Sequence, residues 1–384
     1  MRIAYVYDAV FPWETGGVQK RVWEIGRRLA VHHDIHWYGL KYWDGPAVVT
    51  RDGVTLHGVM SPTDLYVDGR RSITEALAFT ARLVRPLADE SFDVIDCQEF
   101  PFFPVFPSKL QSVLRRSTLV LTWHEVWDDY WMEYLGWKGT VGRVIERLTA
   151  TLPDRHVAVS GRTVRDLRRL GVADASLVPN GIDVAEVETV PPADKPVDLL
   201  YVGRLIEEKN AGVLVRAVAQ LRQTESDVNC IIVGDGPERA RIESLVARLG
   251  LAENVTIVGE IDRYTDVLSL MKTATVFVAP SRREGFGISV LEALACGTPV
   301  VTVDHPQNAA QELVDDGVTG AVCDRTIDGL VAGIRRARSN ASATACRDTA
   351  HEYEWDRIAE STETLYASVV GARTHPESIT TYCP

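Results

Sequence analysis

The chain has 384 residues, 46% of them hydrophobic and 24% charged, and its net charge is -12 at pH 7. This composition excludes a disordered or fibrous protein, and the length is that of two ordinary domains. The negative charge argues against nucleic acid as a partner, because a phosphate backbone requires a positive surface. The six cysteines show no CxxC pair or zinc-ligand spacing, and no apolar run approaches the ~18 residues of a membrane span. We therefore expect a cytoplasmic protein with reduced thiols.

In the first half of the chain, short β-branched runs alternate with helical periods, which is typical of a parallel α/β sheet. The first run, residues 3–7, is too short for a signal peptide and predicts a buried strand. A helix is predicted over 18–30, because Val18, Val22, Ile25 and Leu29 share one face. The other strands predicted in this half cover residues 35–38, 92–96, 118–122 and 156–159.

The alternation stops at Val178-Pro179-Asn180-Gly181, a turn signal, and then starts again. This restart predicts two similar domains, 1–179 and 180–353. One helix of the second half is predicted to start at Pro237 and end at Gly250. A last helix follows at about 354–369. The strands predicted in the second half cover residues 198–202, 230–233, 254–258, 275–279 and 299–303.

Glycine-rich loops follow several of the predicted strands. Gly16-Gly17 stands between the first strand and the first helix, where exposed amides favour an anion, although an ordinary strand-to-helix turn explains it equally well. Gly203-Arg204 and Lys209 follow the first strand of the second domain, and Gly234 follows the next. Taken alone, the two cations are better explained as a solvated surface pair. The carboxyl ends of parallel strands are where open α/β sheets bind ligands, and several glycine-rich loops at one edge favour a diphosphate clamp.

The segment from Pro280 to Pro299 has the most informative pattern. Glu284, Gly285, Phe286 and Gly287 form a loop before a short helix, and Glu292 lies about one turn inside that helix. Two carboxylates so placed can accept hydrogen bonds from ligand hydroxyls, while the glycines expose amides to an anion. The pattern favours a sugar nucleotide over a charged helix face with incidental glycines.

Taken in order, these segments resemble the retaining glycosyltransferases of family 4, which have the GT-B fold. The resemblance covers nearly the whole chain, and its most specific part is Glu284 and Glu292, which match the EX7E motif of that family. It implies two Rossmann-like domains facing across a cleft, an acceptor domain (1–179) and a donor domain (180–353). It also implies that 354–384 includes a helix that crosses back onto the first domain.

The resemblance further implies residue roles. Arg204 and Lys209 would neutralise the donor diphosphate, Glu292 would bind the ribose and Glu284 a hydroxyl of the donor sugar. Gly16 and Gly17 would approach the diphosphate from the first domain, and His124 would face the reacting sugar or acceptor. The remaining donor-binding positions are Gly203, Gly234, Gly285, Phe286 and Gly287. The family carries out retaining transfer from UDP- or GDP-sugars without a metal or another cofactor, and the donor phosphate accepts the acceptor proton.

The acceptor side is less well defined. Six aromatic residues lie close together, and the interpretation that they pack into the first domain is favoured over contact with a sugar or a membrane surface. They are Trp123, Trp127, Tyr130, Trp131, Tyr134 and Trp137. Lys138, Arg143 and Arg147 nearby favour some peripheral contact with an anionic membrane. Asp128-Asp129 lacks further metal ligands.

Two alternatives to a transferase acting on a saccharide or lipid-linked acceptor are kept. One is a GT-B sugar-nucleotide epimerase, and the other is an inactive scaffold that binds a nucleotide sugar. An oxidoreductase is disfavoured, because the GxGxxG fingerprint is missing from the first loop. The base, the hexose and the acceptor are not specified by the sequence.

Overall fold

A computed structural model describes residues 1–67 and 70–374, except the side chains of 66, 67, 70 and 372–374. The chain divides into two compact units. Unit 1 contains Met1–Asn180 and the C-terminal helix, and unit 2 contains Gly181–Glu354. Each division lies one residue after the predicted domain boundary. Residues 375–384, which the prediction assigns to the first domain, lie outside the described residues.

Unit 1 is an α/β unit around an eight-stranded sheet. Its strands are β1 (Arg2–Val6), β2 (Asp34–Gly39), β3 (Val48–Arg51), β4 (Val54–Gly58), β5 (Tyr66–Val67), β6 (Arg70–Arg71), β7 (Val94–Gln98), β8 (Thr118–Trp123), β9 (Arg155–Ala158) and β10 (Ala175–Leu177). The sheet order is β10-β9-β8-β7-β1-β2-β4-β3, with only β3 antiparallel to its neighbour, and β5 and β6 form a separate pair. The helices are α1 (Gly17–Leu29), α2 (Ile73–Ala88), α3 (Val105–Arg115), α4 (Tyr130–Leu135), α5 (Gly139–Thr149) and α6 (Gly161–Arg169).

Unit 2 repeats the architecture around a six-stranded parallel sheet. Its strands are β11 (Val197–Val202), β12 (Cys230–Val233), β13 (Val255–Gly259), β14 (Ala274–Ala279), β15 (Val300–Val303) and β16 (Gly320–Cys323), in the order β13-β12-β11-β14-β15-β16. The helices are α7 (Val184–Thr189), α8 (Ala211–Leu221), α9 (Arg239–Arg248), α10 (Tyr264–Thr273), α11 (Ile288–Ala295), α12 (Ile327–Asn340) and α13 (Ala343–His351). Buried aliphatic side chains of the strands point to both faces of the sheet, because helices cover each face.

The last helix, α14 (Trp355–Thr374), belongs to unit 1 although it follows unit 2 in the chain. Trp355 and Tyr366 are fully buried in the same core as α1 and β1. At its surface Asp356 accepts a hydrogen bond from Arg28 at 2.5 Å. The prediction that the terminal helix returns to the first domain is confirmed.

Every predicted strand is present, with ends that differ by at most two residues. The sequence analysis missed β3, β10 and β16, which lie at sheet edges, as well as β4 beside β3 and the β5–β6 pair. The helix predicted to start at Pro237 starts instead at Arg239. Gly236 explains the delay, because its backbone lies against Leu205, where a Cβ would stand 2.5 Å from the carbonyl oxygen. The chain must complete that turn before the helix begins.

Two further expectations concern thiols and membrane spans. The five cysteines within the described residues are buried and unpaired, and Cys383 lies outside that part of the chain. Among the helices that the structure describes, none has the length and hydropathy needed to cross a membrane.

Candidate functional site

The predicted donor-binding residues of unit 2 follow neighbouring strands of its parallel sheet. Gly203 and Arg204 follow β11, Gly234 follows β12 and Glu284 follows β14. Since β12, β11 and β14 are adjacent and parallel, their carboxyl ends form one edge of the sheet. The sequence therefore placed these residues on the correct edge.

Gly203 and Gly234 bring the first two of these loops into contact. Gly234 has φ +133°, and a Cβ built on it would stand 2.0 Å from the carbonyl oxygen of Gly203. The amide of Gly203 donates to the carbonyl of Val233 at 3.0 Å. Only glycine tolerates both the conformation and the approach at Gly234. These two glycines thus shape the edge, in addition to any contact with a ligand.

Lys209 and Glu284 form an ion pair across two loops that are 75 residues apart in sequence. Both side chains are largely but not fully buried. Tyr201 lies beside them, and its hydroxyl donates to the carbonyl oxygen of Arg204 at 3.0 Å. Burial raises the pKa of Tyr201, and the charge of Glu284 raises it further while that of Arg204 lowers it. The structure therefore pairs Lys209 with Glu284, and the Arg204 backbone lies beside Tyr201.

The loop after β14 leads directly into α11. Gly287, with φ +104°, is the N-cap residue, and no side chain caps the helix, so its first amides face the loop. Glu292 is buried in the second turn of α11 and accepts a hydrogen bond from the Tyr264 hydroxyl at 2.8 Å. Burial and the charge of Glu292 raise the pKa of Tyr264, which therefore stays protonated and orients the carboxylate. Tyr264 was missed by the sequence analysis, since it lies on another helix.

Gly285 and Phe286 occupy the middle of this loop. The Phe286 ring is buried and meets the Tyr353 ring edge-on, with 6.0 Å between centroids. Its ring therefore anchors the loop within unit 2. Gly285 is partly exposed next to it. A ligand would meet the backbone of this loop rather than the aromatic ring.

In unit 1, Gly16 and Gly17 open helix α1. Gly16 is the N-cap residue in an extended conformation, no side chain caps the helix, and its first turn contains no acidic residue. A Cβ at Gly16 would meet only the flexible end of Gln19, at 2.6 Å. The amides at this helix terminus are arranged as an anion site requires.

His124 lies at the end of β8 in unit 1 and is held by a polar chain. The Gln98 side-chain amide donates to Asp96 Oδ1 at 3.0 Å, which turns its oxygen toward His124 Nε2 at 2.8 Å. Nε2 is then the protonated nitrogen of the ring. Burial, with a smaller effect of the Arg21 charge, lowers the pKa of His124 to about 3, so the ring is neutral at physiological pH.

Glu99, next to Gln98, is a buried carboxyl group that the sequence analysis did not single out. Its Oε1 accepts the amide of Glu125 at 3.4 Å. Burial raises the pKa of Glu99 to about 8, so it is protonated at neutral pH. The run Asp96-Cys97-Gln98-Glu99 could have indicated it, because polar residues at the end of a buried strand are costly to bury without a hydrogen-bond partner or a functional role.

The aromatic segment mainly packs into unit 1, as the favoured interpretation had it. Trp123 and Trp131 are buried, and the Trp127 ring lies 4.7 Å from that of Trp131 and 5.1 Å from that of Phe100. Trp127 precedes α4, whereas Trp131 and Tyr134 lie on that helix. Trp137 differs from the rest because it is exposed.

The acidic pair Asp128-Asp129 is engaged by an arginine. Arg143 contacts Asp128 at 2.7 Å and Asp129 at 3.0 Å. No group of three potential metal ligands occurs within residues 1–67 and 70–374.

Two family models match consecutive parts of the chain. The model described as Glycosyltransferase Family 4 matches residues 15–186, and the one described as Glycosyl transferases group 1 matches residues 185–352. Their boundary falls where unit 1 gives way to unit 2.

Known proteins agree with these models. Glycogen synthase of Mycobacterium tuberculosis is 31% identical over 216 residues, 54% of this chain and 51% of that protein. A GDP-mannose-dependent alpha-(1-6)-phosphatidylinositol dimannoside mannosyltransferase of the same species is 30% identical over 238 residues, 59% of this chain and 61% of that protein. The chain thus spans about half of the first relative's length. The structure of Anabaena HepE with UDP-glucose superimposes with a TM-score of 0.72 at 18% identity, covering 96% of this chain and 100% of HepE. The chain is therefore a glycosyltransferase of family 4 with the GT-B fold.

Proposed function

We propose that the protein transfers a hexose from a UDP- or GDP-sugar to a hydroxyl of a saccharide or lipid-linked acceptor, with retention at the anomeric carbon. The observation that carries this proposal is the cluster at the edge of the unit 2 sheet. There Arg204 follows β11, the Lys209–Glu284 ion pair joins the segments after β11 and β14, and Glu292 lies in the second turn of the uncapped helix α11. Cations for a diphosphate and carboxylates for hydroxyls are the groups that a nucleotide sugar requires.

The Lys209–Glu284 ion pair suggests how the donor binds. A diphosphate is the stronger partner for Lys209, because it offers more negative charge and more acceptor oxygens than one carboxylate. When Lys209 turns to the diphosphate, Glu284 becomes available to accept a hydrogen bond from a hydroxyl of the donor sugar. Both side chains thus exchange one partner for another, and neither is left buried and unpaired.

Glu292 supplies the second carboxylate. The hydrogen bond from Tyr264 holds one of its oxygens at 2.8 Å, which orients the group for the ribose hydroxyls. Because Glu292 is inside α11 and Glu284 precedes it, the two carboxylates would contact different parts of one donor.

Catalysis in this proposal depends on stabilising the leaving group. The bond between the anomeric carbon and the diphosphate oxygen breaks, the acceptor oxygen bonds to the same face of that carbon, and its proton passes to a donor phosphate oxygen. Arg204, Lys209 and the amides at Gly287 stabilise the charge that grows on the diphosphate, which is typically the largest catalytic contribution. Since protein groups supply this positive charge, we expect activity to persist in EDTA.

Unit 1 would supply groups for the acceptor side. In this proposal Gly16 and Gly17 contribute amides for the diphosphate, and the neutral His124 contacts the reacting sugar or the acceptor. The donor class itself is supported by two relatives: HepE was solved with UDP-glucose, and the mannosyltransferase is named as dependent on GDP-mannose.

A ligand panel tests the donor. Thermal unfolding is measured with UDP, GDP and ADP, and with UDP-glucose and GDP-mannose. A ligand at a hundredfold excess over its Kd stabilises the native state by about 2.7 kcal/mol. The expected result is a rise in Tm with one nucleotide and its sugar conjugate, followed by diphosphate release when an acceptor is added.

Two variants with matched controls locate the site. Lys209→Ala should abolish the rise with the free diphosphate, whereas Glu284→Gln should keep it and lower turnover. Lys195→Ala and Glu253→Gln change the same residue types at exposed positions of unit 2 and should behave as the parent. Equal turnover of all four variants would refute the site, and conversion of the sugar without transfer would favour an epimerase.

We also propose that α5 gives the protein a peripheral contact with an anionic membrane. One face of this segment exposes Trp137, Val141, Val144 and Leu148, which are 78%, 62%, 60% and 49% accessible. Lys138 and Arg147 flank this stripe. An exposed apolar stripe bordered by cations is the pattern of a helix that lies in the membrane interface.

Vesicle sedimentation tests this contact. The parent should sediment with vesicles that contain phosphatidylglycerol and less with neutral phosphatidylcholine vesicles. Val141→Ser with Val144→Ser should weaken binding roughly tenfold, since each valine withdraws apolar area from water. Val31→Ser with Val258→Ser removes two other exposed valines and should leave it unchanged. Equal loss in both pairs would refute the assignment to α5.

A further inference from the structure

A groove in unit 2 lies apart from the donor-site residues. It runs between α8 and α9 and has a volume of about 290 Å³. Its floor is apolar, formed by Ile206, Ile242 and Leu245. No residue assigned above to the donor site lines it.

Four arginines from three segments surround this groove. Arg216 comes from α8, Arg241 and Arg248 from α9, and Arg282 from the loop after β14. Two glutamates at the rim balance two of them: Glu238 contacts Arg241 at 2.8 Å and Glu207 contacts Arg282 at 3.3 Å. The groove therefore keeps an excess of positive charge in a chain whose net charge is -12.

The start of α8 adds to this positive potential. Asn210 is the N-cap residue, in a left-handed conformation with φ 55°, and no side chain caps the helix. The next two residues, Ala211 and Gly212, line the groove, so the helix amides border it. This end of the groove is open, because a Cβ built on Gly212 would meet nothing closer than Arg216 Nη1 at 3.5 Å.

We propose that this groove binds a small molecule that carries two phosphate groups. The arginines match phosphate oxygens, the α8 terminus adds a further anion-binding element, and the apolar floor suits the carbon skeleton of a phosphorylated sugar. The volume fits a ligand of that size and is small for a whole nucleotide sugar.

The groove borders the two segments that carry Lys209 and Glu284. Arg282 donates its backbone amide to the carbonyl of Glu208 at 2.8 Å, which ties the loop before Glu284 to the turn that carries Lys209. A ligand bound by Arg282 and the Asn210 terminus thus touches the two segments that present the ion pair of the donor site.

Calorimetric titration with two probes tests the proposal. Inorganic pyrophosphate and fructose 1,6-bisphosphate are titrated into the parent, into Lys209→Ala, and into a variant with Arg216→Ala and Arg248→Ala. Arg325→Ala with Arg335→Ala is the control, since it removes the same charge from two exposed positions of unit 2. All of these arginines are exposed, and alanine supports a helix as well as arginine does, so the variants should fold.

We expect pyrophosphate to bind the parent at two sites per chain. Lys209→Ala should remove one, and the Arg216/Arg248 variant should weaken the other at least about tenfold while the Arg325/Arg335 control keeps both. The bisphosphate should bind only the site that the Arg216/Arg248 variant weakens, and more tightly than pyrophosphate if the carbon skeleton uses the apolar floor. Equal or tighter binding of pyrophosphate there would support the groove as a site for free diphosphate.

Other outcomes separate this proposal from the donor site. A single site lost in the Arg216/Arg248 variant but kept in Lys209→Ala would support the groove and refute the diphosphate role of Lys209. A single site lost only in Lys209→Ala would overturn the groove. Equal weakening in the Arg325/Arg335 control would also overturn it, because it would show general charge attraction.

Discussion

One of the contacts that attach the terminal helix to unit 1 is a buried hydrogen bond that can be tested. The Tyr366 hydroxyl donates to Asp96 Oδ2 at 2.5 Å, and both residues are buried. Thr122 and Gln98 also donate to Asp96, at 2.8 and 3.0 Å. Despite these donors, burial raises the pKa of Asp96 to about 6. Tyr366→Phe removes one donor and leaves the packing of the ring unchanged.

The cost of this change should depend on pH. Because the pKa is raised, the folded state keeps the Asp96 proton at pH values above the unfolded-state pKa of 3.8. The stability that this group contributes is therefore lost as the pH rises from about 4 to about 6. Loss of the Tyr366 donor destabilises mainly the ionised carboxylate. We therefore expect Tyr366→Phe to cost about 1 kcal/mol at pH 5 and about 1.5–3 kcal/mol at pH 8. For a unit of this size the Tm at pH 8 should fall by roughly 3–12 °C.

Tryptophan fluorescence gives a selective assay, because all nine tryptophans lie in unit 1. Thermal unfolding of the parent and the variant is followed at both pH values. Tyr5→Phe is the matched control, since its hydroxyl lies 3.4 Å from that of Tyr366 and its removal leaves the Tyr366 donor to Asp96 in place. Tyr5→Phe should lower the free energy of unfolding by less than Tyr366→Phe does at both pH values. An equal cost of Tyr366→Phe at pH 5 and pH 8 would refute the argument that the bond serves a carboxylate.

Three further predictions concern the two sheet edges. Gly234→Ala should destabilise unit 2 by at least about 2 kcal/mol, because the added Cβ meets the Gly203 backbone. The control Gly45→Ala is also at positive φ but has open space around it, and it should cost about 1 kcal/mol. Similar costs of the two changes in chemical unfolding would contradict this prediction. The pKa of Glu99 is raised to about 8, so folding favours the protonated carboxyl group. Between pH 5 and 8 the parent should therefore lose stability relative to Glu99→Gln, and above pH 8 the difference should stay constant. Parallel pH profiles of the two proteins would contradict this prediction. Gln98→Leu removes the acceptor that fixes His124 and should lower kcat with little change in donor Kd, and an unchanged kcat would show that this contact is only structural.

The parts of the fold that the sequence predicted are those governed by local patterns. Buried parallel strands such as β1 and β12 are continuous apolar runs, and glycine-rich turns after them mark the ligand-binding edge. The edge strand β3 was missed, because it contains no buried residue and its sequence resembles a loop. Local periodicity is informative only where one environment extends over several residues.

The contacts within the site could not be predicted in the same way. The partner of Lys209 is Glu284, and that of Glu292 is Tyr264 on the preceding helix. Such pairs depend on how close two loops come, which is set by backbone approaches such as that of Gly234 to Gly203. The sequence showed which residues carry charge, and the fold determined which charges neutralise each other.

This neutralisation bears on how selective the donor site is. Because Lys209 is paired with Glu284, an anion must displace this carboxylate before it can bind the lysine. A free diphosphate that does so leaves Glu284 largely buried without its cation, whereas a nucleotide sugar provides a hydroxyl at the same time. In the donor site that we propose, the ion pair would favour the complete donor over its diphosphate product, which is the order of affinities that an enzyme releasing that product needs. Its strength comes from partial burial, since the same pair on an open surface would contribute little.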